Sequence, residues 1–215
     1  MASILSVEQL QGLAAGSTPN TITVPTGQKI VGTDMGSVVA PGTPVQVVHN
    51  VNQTHAQYSS TSYAATDVEV EITPKFANSK FLIEGIYSGG TNAGNNYSHD
   101  CCAGLNFRDS LNPSGANVAL VTDNSSGAGS NRTGSFMLLP SQAALANGLR
   151  YWVHQIPLSF LYTPSYQNTN TRTFGIIIKV GNSTQGTVQN MSDTNTDDRR
   201  DIRGSSVIKV TEIAQ

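Results

Sequence analysis

The chain has 215 residues, a formal net charge of −2 and only 12% charged residues, well under the ~25% usual in a soluble domain. Ser, Thr, Asn and Gly fill 83 positions. This excludes bulk nucleic-acid binding, which draws on clustered Lys and Arg. No apolar run reaches the ~20 residues of a membrane-inserting helix, while many Val/Ile/Phe runs and a small net charge argue against a disordered chain.

Residues 1–42 differ from the rest. The opening Met1-Ala2-Ser3-Ile4-Leu5 lacks a basic segment and a long apolar core, so no secretory signal is expected. Ser6-Val7-Glu8-Gln9 matches a capping box, and Val7, Leu10 and Leu13 or Ala14 fall on one face of a two-turn helix that Gly16 can end. Thr21–Pro25, Gln28–Val31 and Ser37–Val39 read as brief strands between glycines. Such a stretch cannot enclose a core and is expected to act as an attachment or oligomerisation segment.

Residues 43–215 read as a head of about nine short strands. Val45, Val47 and His49 alternate with Gln46, Val48 and Asn50. Val68, Val70 and Ile72 alternate with Asp67, Glu69, Glu71 and Thr73, the cleanest half-buried strand. Phe81–Tyr87 is apolar on both faces and reads as central. Ala103–Phe107, Val118–Val121 and Phe136–Leu139 are shorter. Tyr151–Leu161 contains Pro157, which is expected to bulge or break it. Phe174–Val180 is the most deeply buried candidate, and Ser206–Ile213 closes the chain. A short helix is expected at Ser141–Asn147. The pattern predicts an all-β fold, an antiparallel β-sandwich or jelly roll.

Three polar loops, Ser88–Asp100, Asp123–Gly134 and Asn182–Arg203, are long for hairpins. No serine nucleophile elbow or phosphate-binding loop is present. Glu69, Glu71 and Glu84 lie on candidate strands, where solvent-facing charges are the ordinary reading rather than a glycosidase pair. Trp152 reads as core. His99-Asp100-Cys101-Cys102 is compact, but adjacent strand residues point to opposite faces and cannot converge on one ion. Asp193, Asn195 and Asp197 match the first positions of a calcium loop, yet Asp198 stands where glycine is needed and Gly204 where glutamate is needed. They are weak metal candidates; the expectation is no metal and no cofactor.

Receptor contact, if the head makes any, is expected in loops at one end of the sandwich: Ser88–Asp100, Asp123–Gly134 and Thr163–Arg172. These carry Tyr97, Arg132, Tyr166 and Arg172 among small polar residues. Tyrosine offers an apolar face with a polar tip, suited to stacking on a sugar ring.

The opening residues 1–7, the run Gly16-Ser17-Thr18-Pro19-Asn20-Thr21-Ile22-Thr23-Val24-Pro25-Thr26-Gly27-Gln28-Lys29-Ile30, the run Ile72-Thr73-Pro74-Lys75-Phe76-Ala77-Asn78-Ser79-Lys80-Phe81-Leu82-Ile83 and the ending Val210-Thr211-Glu212-Ile213-Ala214-Gln215 resemble small virion proteins of marine tailed bacteriophages. The resemblance implies a non-enzymatic virion component, a tail-fibre, head-attached fibre or decoration subunit. It implies a β-rich homotrimer joined to other virion proteins through residues 1–42; composition, as above, argues against nucleic-acid contact and membrane insertion. A host-surface glycan is the expected external partner. The alternative from composition and fold is a stand-alone, lectin-like carbohydrate-binding module.

Overall fold

The structure is a computed structural model that describes residues 24, 26–28, 30–31, 39–92, 103–121, 137–139, 154–180, 186–190 and 204–215. The chain separates into two compact units, Met1–Val38 and Val39–Gln215. In the first, the described residues form a turn at Thr26 and Gly27, with Gly27 at φ 86°, and no strand. The helix expected after Ser6 and the one expected at Ser141–Asn147 lie outside the described residues.

The second unit is all-β among its described residues. Its strands are β1 (Pro44–Asn52), β2 (Ala56–Tyr58), β3 (Ala64–Ile72), β4 (Lys80–Asn92), β5 (Ala103–Asp109), β6 (Met137–Leu139), β7 (His154–Tyr162), β8 (Arg172–Val180), β9 (Gly186–Gln189) and β10 (Ser206–Ile213). They form two antiparallel sheets, as the alternation predicts. The second sheet runs β3-β8-β5-β6. In the first, β10 and β9 lie end to end along one edge of β4, pairing with Lys80–Ile86 and Gly89–Asn92. β1 and β2 follow each other in the same way along β10 and β9, and β7 flanks the other edge of β4.

The sheets bury one core between them. Phe81, Ile83 and Tyr87 from β4 and Ile208 and Val210 from β10 meet Phe174, Ile176 and Ile178 from β8 and Leu105 and Phe107 from β5. The Phe81 and Phe174 rings stand 5.0 Å apart, and Tyr162 meets Phe174 edge-on at 6.0 Å. Gly85, on β4, is packed tightly against β10 and the second sheet. A Cβ there would lie 3.1 Å from the Val207 carbonyl oxygen and 3.3 Å from Ile176.

Several expectations are corrected. Pro157 neither breaks nor bulges its strand: β7 pairs with β4 in unbroken register through Ile86↔Pro157. Within the described strands β7 borders only β4, so the missing N–H costs no second ladder. Ser88–Asn92, read as loop, is the end of β4: β7 pairs with Ser88 and Gly89 on one edge, and β9 with Gly89–Asn92 on the other. β9 falls in the loop expected at Asn182–Arg203, and β2 in a stretch for which no element was expected. Val118–Val121 forms no strand, although the Leu120 N–H donates to the Phe107 carbonyl.

β1 is turned over relative to a simple hydrophobic-in reading. Val47 and Val51 face outward, 56% and 52% exposed, while Gln46, Asn50 and Asn52 face the second sheet. Their amides donate to the carbonyls of Thr73, Glu69 and Asp67. Those carbonyls lie along the free edge of β3 and just beyond its end, and would otherwise lack a ladder partner. The amides thus stitch one edge of the sandwich closed.

A second joint lies where β9 passes to β10. Asn190, at φ 60° and 1% exposed, takes the left-handed conformation that asparagine tolerates. Its side-chain amide donates to Asn52 and to the Thr54 carbonyl, and its side-chain oxygen accepts from the Ser206 hydroxyl. The Gly204 N–H donates to the Asn190 carbonyl.

Candidate binding surfaces

Of the four residues expected to contact a receptor, Tyr97 and Arg132 lie outside the described residues, as do Asp193, Asn195, Asp197, Trp152 and the 99–102 cluster. Tyr166 is exposed on the β7–β8 connection. Arg172 is not a surface residue. It opens β8 with 1% of its area exposed, and its guanidinium donates to Asp109 at 2.9 Å, itself buried. The same guanidinium donates to the Tyr166 carbonyl and to the Asn168 side-chain oxygen and stands 5.4 Å over the Phe81 ring. Removing one partner of such a pair leaves a charge stranded in the core. Arg172 therefore shapes the turn that presents Tyr166.

The expected loops do not share one end. β4 runs from Lys80 to Asn92, so its connection to β5 leaves beyond Asn92. β7 runs the other way, with Tyr162 opposite Phe81, so the turn carrying Tyr166 leaves at the Lys80 end. Eleven strand steps, from Phe81 to Asn92, separate the two exits, about 36 Å. The third loop, 123–134, lies outside the described residues.

The candidate carboxylates are also apart. Glu84 lies on the first sheet, paired with Lys209 at 2.7 Å. Glu69 lies on the second, paired with Arg108. Glu212 is fully buried and serves structure: it accepts from the Lys75 and Phe76 N–H groups, the Ser79 hydroxyl and the Gln46 amide. Among the described residues no group of three His, Cys, Asp or Glu is placed to hold a metal.

Three buried or half-buried tyrosines have perturbed hydroxyls. Burial, with Asp67 beside it, pushes Tyr58 up to about 12. Burial and the neighbouring Asp109 push Tyr162 up to about 12. Complete burial holds Tyr87 well above its ordinary value. All three stay neutral and structural at physiological pH.

What remains open is the outer face of the first sheet, which sequence reading missed because it hangs on which way β1 faces. The registers place its residues in three cross-strand rows. Val51, Val207, Ile86 and Pro157 form one apolar row, and Val47, Thr211, Leu82 and Leu161 another, apolar except for Thr211. Between them runs His49, Lys209, Glu84 and Ser159. Val47, Val51, Ile86 and Leu161 are 42–56% exposed, and a shallow depression opens among Ile86, Pro157, Val207 and Lys209. Scattered apolar residues are ordinary on a surface, but contiguous rows mark an interaction surface.

No protein-family model matches this chain, and no curated protein matches it.

Proposed function

We propose that the chain is a non-enzymatic structural subunit of a bacteriophage virion, a tail-fibre or head-attached fibre or decoration protein. The observation that carries this reading is the apolar outer face of the first sheet, in a chain whose composition is rich in small neutral residues. Such a face suits permanent packing in an assembly, since few charges need desolvation there. The resemblance of the chain's opening, middle and ending to small phage virion proteins supports it independently.

In this reading residues 1–42 attach the subunit to other virion proteins, and the head self-associates, as a homotrimer if it follows the proteins it resembles. Tyr166 is the described residue best placed for a host-surface glycan, because the Arg172 network holds its turn in shape. The test is immuno-electron microscopy of purified particles with an antibody against the head. Labelling at one repeated position is expected, and its loss when residues 1–42 are deleted from the gene. Unlabelled particles would overturn the virion reading. For Tyr166, Y166A is expected to weaken host-cell attachment with an unchanged melting temperature.

A further inference from the structure

The three rows on the outer face of the first sheet have a property that a generic sticky patch lacks: they complement themselves. Across the face the strand positions are β1, β10, β4 and β7. A two-fold axis lying in the interface, parallel to the strands and between β10 and β4, exchanges β10 with β4 and β1 with β7 while keeping each row in place. Lys209 of one copy then stands opposite Glu84 of the other, and Glu84 opposite Lys209. Val207 meets Ile86, Val51 meets Pro157, and Val47 meets Leu161. The other in-plane choice, an axis along the polar row, would set Lys209 on Lys209 and Glu84 on Glu84, with like charges face to face.

We propose that this face binds a second copy of the same chain through the strand-parallel two-fold axis, with the Lys209 and Glu84 rows interlocking. This rests on the self-association in the proposed function and adds to it a two-fold contact, distinct from any three-fold contact, on a named surface. A two-fold contact uses one patch on both subunits, so the patch must match its own rotated image, and these rows do. The row carries the Lys209–Glu84 ion pair, so no charge of one sign accumulates at the centre of the contact. The same contact joins two trimers into six copies if a three-fold assembly forms elsewhere on the molecule.

The experiment is a charge-swap cycle on the full chain, read by sedimentation and light scattering. The wild-type chain is expected at two or six copies. K209E sets a new carboxylate against Glu84 across the axis, and E84K sets a new ammonium against Lys209, so each alone is expected to weaken association by tenfold or more. An equimolar mixture of the two variants restores opposite charges at both positions and is expected to reassociate. I86D is expected to abolish the contact with the melting temperature unchanged. A wild-type mass of one or three copies overturns the proposal, as does a mixture that associates no better than its components. Particle labelling is independent of this cycle, so a failed two-fold contact leaves the virion reading standing, and unlabelled particles leave the two-fold contact standing.

Discussion

The two outer faces of the sandwich are built from the same kinds of strand and finished in opposite ways. On the second sheet, Glu69 and Arg108 reach toward each other across β8 and meet over Gly175, which lies opposite both in register. Lys179 lies over the Tyr63 ring at 4.7 Å. Ile177, on the same outward side, is nevertheless fully buried. The Asn106 side chain is held by Val121, its amide donating to the Val121 carbonyl and its oxygen accepting the Val121 N–H. That face is completed by its own chain. The first sheet instead turns Val47, Val51, Ile86 and Leu161 outward, with one ion pair among them. The fold can cover an outer face when stability requires it, and on this side it does not.

The largest effect that would break this contrast comes from placing one charge on each face. Ile177→Asp strands a carboxylate in a covered site and is expected to cost about 3–5 kcal/mol, the penalty of an unpaired buried charge. Chemical denaturation would measure it, and a loss under about 1 kcal/mol, the range of ordinary surface changes, would mean the second face is as open as the first. Gly175→Ala is next. The added Cβ would lie 3.0 Å from Arg108 Nε and 3.1 Å from Glu69 Cβ, so it is expected to cost about 1–3 kcal/mol by overpacking. An unchanged denaturation midpoint would show that the ion pair moves aside freely.

A smaller, graded effect comes from pH. Tyr58 and Tyr162 titrate near 12 in the fold against about 10 in the unfolded chain. A raised hydroxyl contributes stability that is present below the unfolded value and lost as pH rises through the folded one. Melting temperature should therefore fall between about pH 10 and 12, and tyrosinate absorbance should show a late-ionising fraction. A single early ionisation of all tyrosines would remove this support for the packing at both sites. The smallest effect is expected on the open face: Ile86→Asp should change stability by no more than about 0.5 kcal/mol. A larger loss in the monomer would mean Ile86 already packs against its own chain.

How much of this was legible in the sequence depends on whether a residue's partner lies nearby in the chain. The alternation at Val68, Val70 and Ile72 and the apolar run of β8 report burial locally, so those strands, the all-β class and the sandwich could be read directly. Arg172 could not. Ahead of an apolar strand and after a polar turn it reads as exposed, and its partner Asp109 is 63 positions away. The inward Gln46, Asn50 and Asn52 misled for the same reason: amides look solvent-facing until the carbonyls of β3 are known to need donors. β9 and the end of β4 are made largely of Gly, Ser, Thr and Asn, which carry no hydrophobic period, and only mutual pairing makes them strands.

The Asn190 joint has an evolutionary consequence. Because the Gly204 N–H closes directly onto the Asn190 carbonyl, β9 hands over to β10 as though the strand were continuous. Insertions, deletions or whole exchanged peptides between those two residues need not disturb the pairing on either side. The chain thereby offers a position where sequence can drift quickly, or be replaced by design, while the scaffold that carries it stays under its own separate selection.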